Sequence, residues 1–129
     1  MAARTSPPGN IFCHLNRGRD NFNYFDTDSC LVGHYHVPLI FRQDKTGACI
    51  EARIHSEMRL SFGNNRLIIN PGSVGQPRDG DPRASYAIYD SSVYIIYHYR
   101  VNYDIASTQK KMIEYRLPLS LISRLNYGL

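Results

Sequence analysis

A length of 129 residues, of which 43% are hydrophobic and 20% charged, is enough for one small globular domain with its own core. No stretch approaches the roughly 20 apolar residues that cross a membrane, so no transmembrane helix is predicted. The formal net charge of +4 is small and dispersed, and no aromatic stacking motif accompanies it. Binding of nucleic acid is therefore the weakest of the functional expectations.

The first ten residues contain two prolines, a serine and a glycine, and they lack the apolar core of a secretory signal. We therefore expect a loose, disordered tail over residues 1–10 and a fold over residues 11–129. The cysteines lack zinc-site spacing and lie in apolar segments, which is typical of buried free thiols. These cysteines are Cys13, Cys30 and Cys49. A reducing cytoplasm is the expected location.

The first predicted elements lie close together. Residues 11–14 predict a short buried strand that delivers His14 at its end, and residues 15–20 predict a polar loop. Residues 21–29 are too few and too rich in Asn and Asp to form a stable helix. On its own, a histidine after a short apolar run favours a core or rim position for His14, with a metal ligand as the alternative.

A pair of histidines, His34 and His36, follows a short apolar strand that ends at Gly33. In an extended segment alternate side chains point to the same side, so both imidazoles can approach one metal or two neighbouring metals. Neutral imidazole is also the commonest metal ligand in proteins. On this pattern alone, two half-exposed histidines at a strand end remain the alternative.

The middle of the chain predicts strands joined by turns. Residues 39–54 predict a hairpin whose turn lies near Gly47, and the second strand alternates apolar and polar residues. Residues 57–62 predict a further strand, and a turn at residues 63–65 brings the chain back to Asn70. The many tyrosines and phenylalanines favour such a β-rich fold.

Residues 70–83 predict a tight loop. They contain three glycines and three prolines, and glycine permits positive φ whereas proline fixes its own φ and restricts the residue before it. The loop lacks the Gly-Lys-Ser/Thr ending of nucleotide-binding phosphate loops. Its composition therefore predicts a defined structure but not a nucleotide site.

The last third of the chain predicts a hairpin and two helices. Residues 84–101 alternate in a hairpin that places Ile96, His98 and Arg100 on one face, and a structural role is expected for His98 and His55.

The two helices follow this hairpin. Asp104 predicts the start of a helix that runs through Tyr115, and a second short helix is expected to end at Gly128.

Two of these segments carry a family resemblance. Residues 33–38 read GHYHVP and residues 70–78 read NPGSVGQPR. Together they resemble the C-terminal half of the calcineurin-like metallophosphoesterases, in the smaller bacterial and archaeal branch. In that family a Gly-His-Thr-His-x-Pro element supplies two metal-binding histidines, and an Asn-Pro-Gly-Ser-x-Gly-x-Pro-Arg loop follows about one hairpin later. The likeness covers residues 11–129.

The resemblance implies a fold, a cofactor and site residues. The fold is α+β, a mainly antiparallel β-sheet with C-terminal helices that forms part of an αββα sandwich. The cofactor is a divalent metal (manganese, zinc or iron) held by His14, His34 and His36. Arg78 could reach a substrate phosphate as a bidentate donor, with a surface or salt-bridge role as the alternative. Structural support of the site is implied for Gly33, Asn70, Gly72 and Ser73.

The chain also departs from the family. The family draws metal-binding carboxylates and a further ligand from Asp-x-His, Gly-Asp-x-x-Asp and Asn-His motifs in its N-terminal half, and this sequence contains none of the three. Gly80-Asp81 lies in the glycine loop and cannot replace the bridging motif, and Tyr35 stands where the family has threonine. A two-metal centre is not expected, although three histidines could hold one zinc with an open position. No catalytic residue is assigned.

Two functional hypotheses follow. In the first, the chain is the C-terminal half of a phosphoesterase that is inactive alone, and it is either one subunit of a split enzyme or the remnant of a truncated gene. In the second, it is a non-catalytic interaction module that binds a partner, or a second copy of itself, through surface that the other half would cover.

Overall fold

The structure is a computed structural model that describes residues 15–129, with side chains described from Gly18 onward. The predicted tail at residues 1–10, the predicted strand at residues 11–14 and His14 itself lie outside the described residues.

The described residues form seven strands, three α-helices and two short 3-10 helices. The strands are β1 Ser29–Leu31, β2 Pro38–Gln43, β3 Cys49–Arg53, β4 Arg59–Ser61, β5 Arg66–Pro71, β6 Ala84–Asp90 and β7 Ile95–Val101. The α-helices are α1 Leu15–Asn21, α2 Ile105–Glu114 and α3 Leu119–Ser123, and the 3-10 helices are Phe22–Tyr24 and Arg124–Asn126. None of these helices combines the length and the apolar character that a membrane span needs.

The strands form two stacked sheets. The first sheet has the order β1-β5-β2-β3, in which only β1 and β5 are parallel, and the second has the antiparallel order β4-β7-β6. Ile40, Leu67 and Ile69 of the first sheet pack against Leu60 and Ile96 of the second. The predicted fold class is confirmed, since the chain is α+β with mainly antiparallel strands and C-terminal helices.

The two central strands of the first sheet, β2 and β5, are buried on both faces. Along β2, Ile40 points to the core between the sheets, whereas Leu39 and Phe41 point to a second cluster with Ile68 and Phe22. Such double burial explains why residues 38–41 are apolar without alternation. The arrangement is a helix layer, a central sheet and a second sheet.

The predicted polar loop at residues 15–20 is wrong, because the chain forms helix α1 there. Seven residues do not make a stable helix in isolation, so tertiary packing must supply the stability. Gly18 is buried against the ring of Phe41, and an added Cβ would lie 2.5 Å from Phe41 Cε1. The missing side chain lets the helix approach the sheet closely.

The turn predicted at residues 63–65 does not join two paired strands. β4 and β5 do not pair with each other, since β4 pairs with β7 in the second sheet and β5 lies in the first. The turn therefore crosses between the sheets. Leu60 and Leu67 both enter the core between the sheets, so burial and not local turn geometry decides the pairing.

Other predictions for the fold are confirmed. β2 pairs with β3 and β6 pairs with β7 as antiparallel hairpins. Asp104 is the N-cap of α2, and its Oδ1 accepts a hydrogen bond of 2.9 Å from the backbone N–H of Ser107.

Replacing Gly18 by alanine tests how α1 is held. Alanine favours a helix by about 1 kcal/mol over glycine, yet overlap with Phe41 should leave a net loss of about 1–2 kcal/mol in the free energy of unfolding. Urea unfolding measures this loss, with exposed Arg19→Ala in the same helix as the control. A Gly18→Ala protein as stable as wild type would show that the helix does not pack on the sheet.

Candidate metal centre

Two loops emerge side by side at one end of the sandwich. The histidine loop (residues 32–37) joins β1 to β2, and the glycine loop (residues 72–83) joins β5 to β6. β2 and β5 are antiparallel neighbours, and Pro38 at the start of β2 pairs with Pro71 at the end of β5. The pairing of these two strands therefore brings the two motifs together.

The two loops are joined through His36. Its Nδ1 lies 2.8 Å from the carbonyl oxygen of Gln76, and the backbone N–H of Arg78 donates to the carbonyl oxygen of His36 at 3.1 Å. The His36 side chain is partly buried between the loops. These contacts hold both the backbone and the ring of His36 against the glycine loop.

The contact with Gln76 decides which ring nitrogen of His36 carries the proton. A carbonyl oxygen can only accept a hydrogen bond, so Nδ1 must be the donor. In the neutral ring the lone pair is then on Nε2. Histidines that bind metals usually donate their other N–H to a carbonyl or carboxylate, which fixes the ring in this way. His36 thus has the hydrogen bonding expected of a ligand that binds through Nε2.

The backbone of the histidine loop differs from the extended segment that the sequence predicted. β1 ends at Leu31 and β2 begins at Pro38, and His36 has a φ of 61° in the left-handed region. The expectation that His34 and His36 share one face of a strand is therefore wrong. The structure still places both histidines in one loop, with His34 exposed and His36 partly buried. A non-glycine residue in this region is uncommon and costs of order 1–3 kcal/mol.

The glycine loop begins with three connected contacts. Asn70 is fully buried, and its Oδ1 accepts from the Gly72 N–H at 2.9 Å. Gly72 has a φ of 90°, and an added Cβ would lie 2.5 Å from Ser85 Oγ. Ser73 Oγ accepts from the Gln76 N–H at 2.9 Å. Asn70, Gly72 and Ser73 thus have defined structural contacts.

Gly33, by contrast, has no comparable constraint. A Cβ added there would meet no atom within 4 Å. Nothing in the packing of the described residues requires glycine at this position.

A buried pair, Ser85 and His98, lies beneath the start of the glycine loop. Ser85 Oγ is 2.8 Å from His98 Nε2 and 2.5 Å from the carbonyl oxygen of Pro71. His98 Nδ1 donates to the carbonyl oxygen of His55 at 3.1 Å, and both Ser85 and His98 are almost completely buried. Burial lowers the pKa of His98 below its usual range. His98 therefore supports the loop from inside the core.

Ion pairs hold the far end of the glycine loop. The buried guanidinium of Arg100 pairs with Asp79, and it also donates to the backbone oxygen of Asp81 at 3.2 Å. Arg83 pairs with Asp81 at 2.6 Å, and the hydrogen bond from Arg83 lowers the pKa of the Asp81 carboxyl. The sequence pattern predicts no role in the site for Arg100, although its place on the same strand face as the buried Ile96 is a signal that it lies inward.

The predicted substrate contact, Arg78, lies at the surface. Its side chain is exposed, and its Nη2 donates to Gln76 Oε1 at 2.9 Å. The guanidinium is thus next to the residue that contacts His36, with its remaining N–H groups open to solvent.

The donor set fits part of a metal site. Two imidazoles in one loop, one of them held by its Nδ1, suit a divalent transition metal. Within the part of the chain that the structure describes, no cluster of three or more His, Cys, Asp or Glu side chains is present. A complete ligand set would therefore need groups beyond these described residues.

The low pKa of His98 makes stability depend on pH. Well above pH 6.5, the ordinary pKa of histidine, the ring is neutral in both the folded and the unfolded state, so its contribution to folding is complete. Below that pH the unfolded chain takes up a proton that the folded one resists, so the free energy of unfolding should fall by up to about 1.4 kcal/mol per pH unit until the lowered pKa is passed.

Urea unfolding between pH 8 and pH 5 measures this effect. We expect His98→Asn to lose stability at pH 8 and to show a shallower slope, whereas exposed His55→Asn keeps the backbone acceptor and the wild-type slope. An unchanged slope in His98→Asn would contradict the assignment.

Sequence comparison finds a similar archaeal protein. No family model matches the sequence. The chain is 39% identical over 109 residues to the uncharacterized protein MJ0912 of Methanocaldococcus jannaschii, a match that covers 84% of this chain and 42% of that protein.

A solved structure is also similar. The crystal structure of a metallophosphoesterase from Sphaerobacter thermophilus superposes with a TM-score of 0.79 and 47% sequence identity, over 86% of this chain and 47% of that one. The chain therefore spans less than half the length of either protein. The predicted resemblance is confirmed: the chain is similar to a metallophosphoesterase over most of its length, consistent with the C-terminal half of one.

Proposed function

We propose that this chain is the C-terminal half of a metal-dependent phosphoesterase and that His34 and His36 supply ligands to its metal centre. The observation that carries the proposal is the hydrogen bond from His36 Nδ1 to Gln76 O, which leaves Nε2 as the free nitrogen. The likeness to a metallophosphoesterase implies a divalent metal. Manganese, zinc and iron all accept imidazole. Such a metal, when bound, polarises a phosphoryl oxygen and lowers the pKa of a bound water.

In this centre the residues of this chain would bind the metal and orient the substrate phosphate. His36 is held rigidly by the glycine loop, and His34 lies exposed two residues away. Arg78 would donate to a phosphate oxygen, because its exposed guanidinium lies next to Gln76 and Arg can form two parallel hydrogen bonds. His14 remains the proposed third histidine ligand.

Catalysis would need carboxylates that this sequence does not supply in the family pattern. The three N-terminal motifs are absent from the 129 residues. Asp79 and Asp81 are already paired with Arg100 and Arg83. We propose that a complementary segment or chain contributes the carboxylates and that the present residues alone do not turn over substrate.

An interaction role is the second candidate. Both edge strands of the first sheet, as far as the structure describes it, carry an exposed aliphatic side chain, with Leu31 on β1 59% exposed and Ile50 on β3 58% exposed. An uncovered sheet edge readily pairs with another chain. This surface would bind the complementary half of a split phosphoesterase or a second copy. Sedimentation tests this role. A protein that remains strictly monomeric and does not bind a complementary chain would exclude it.

A reducing compartment, the cytoplasm, remains part of the proposal. Cys30 and Cys49 are free thiols, and burial raises the pKa of both. Thiols held in the protonated form are weak nucleophiles, which favours a structural role for them.

Metal binding tests the proposal directly. Protein purified without chelator and resupplied with manganese or zinc should bind metal, and His34→Ala combined with His36→Ala should weaken binding by more than the roughly 10- to 100-fold cost of losing a supporting hydrogen bond. Calorimetry measures the affinity, with His55→Ala as the control. Equal affinity in wild type and double variant would show that the histidine loop is not the site.

Hydrolysis of a chromogenic phosphodiester tests the missing carboxylates. The chain alone should show no turnover with manganese or zinc, and a complementary chain that carries the three motifs should restore it. Turnover by the chain alone that disappears in the double variant would mean that the present residues suffice.

A further inference from the structure

A chain of hydrogen bonds links the second sheet to the ring of His36. The backbone N–H of Ser85 in β6 donates to the carbonyl oxygen of Ser73 at 2.9 Å. The hydroxyl of Ser73 accepts from the Gln76 N–H at 2.9 Å. The carbonyl of Gln76 then accepts from His36 Nδ1 at 2.8 Å. Ser73 thus stands between a rigid strand and the residue that contacts the ring.

The backbone at the start of this series of hydrogen bonds is immobilised. Gly72 is packed so tightly that an added Cβ would lie 2.5 Å from Ser85 Oγ and 2.9 Å from Pro38 Cγ. Ser85 in turn contacts the buried ring of His98. Because the interior of the protein is close-packed, the backbone of Ser73 has little freedom to shift.

Pro77 couples the orientation of the Gln76 carbonyl to that of the Gln76 N–H. A residue that precedes proline is restricted to extended values of ψ, so Gln76 has one soft backbone dihedral instead of two. Pro77 itself is fully buried, which prevents the next peptide from moving. Once Ser73 Oγ holds the Gln76 N–H, the direction of the Gln76 carbonyl is therefore largely determined.

We propose that Ser73 is a positioning residue that selects the tautomer of His36, with the proton on Nδ1 and the lone pair on Nε2. Without the Ser73 hydroxyl the Gln76 peptide can rotate, and the neutral ring populates both tautomers. The purpose of this selection, presenting Nε2 to a metal, rests on the proposed function. The tautomer itself can be measured without any metal.

The experiment uses the full chain with ¹⁵N-labelled histidine, in EDTA and at about pH 8.5, well above the ordinary histidine pKa. Two-bond ¹H–¹⁵N spectra report which ring nitrogen carries the proton, and His36→Gln assigns the signals. Wild type should show the proton on Nδ1 of His36. In Ser73→Ala the two ¹⁵N shifts should move toward each other, whereas exposed Val74→Ala in the same turn should leave them unchanged.

Two isosteric variants distinguish the effect of the Ser73 hydroxyl from the effect of side-chain volume. Ser73→Thr keeps the acceptor and should retain the wild-type shifts, whereas Ser73→Val has the same shape without the hydroxyl and should behave like Ser73→Ala. Zinc affinity is the second readout, and it should weaken about tenfold in the variants without a hydroxyl.

The outcomes distinguish this inference from the proposed function. A proton on Nε2 in wild type, or equal shifts in the Thr and Val variants, would overturn the role of Ser73. Changed shifts in a protein that binds no zinc would uphold tautomer selection and contradict the proposal that the histidine loop of this chain binds metal on its own.

Discussion

The antiparallel pairing of β2 with β5 is the constraint on which the rest of the site depends. Both strands are buried on both faces, so a slip of one residue would turn apolar side chains from one core to the other. The register that pairs Pro38 with Pro71 is therefore well specified. It starts the histidine loop and the glycine loop at adjacent points, which is what allows His36 to contact Gln76.

The glycine loop is held at both ends by polar groups of the second sheet. At its start Ser85 and His98 contact Pro71 and Gly72, and at its end Arg100 pairs with Asp79. A buried ion pair adds little net stability because desolvation offsets the attraction. Its directional hydrogen bonds nevertheless restrict the loop to one conformation. A rigid loop suits the metal-binding role proposed for His36, since metal sites tolerate only small displacements.

The likeness to a metallophosphoesterase establishes a fold, whereas the chemistry has to be argued from individual residues. The chain covers 47% of the similar structure, and the carboxylate motifs of the family are not among its residues. A fold does not by itself establish an activity. The hydrogen bonds that fix the backbone and ring of His36 are in place, so the present residues supply an oriented imidazole.

Local pattern predicted much of this protein, and tertiary packing decided the rest. The hairpins, the Asp104 cap and the two motifs are visible in the sequence because turn chemistry, capping and alternation act between near neighbours. Helix α1, the pairing of β4 with β7 and the left-handed His36 were not predicted. Each depends on partners distant in sequence: Phe41 for the helix, Ile96 for β4 and Gln76 for His36. Long-range burial and hydrogen bonding outweigh local preference, and only the folded chain brings these partners together.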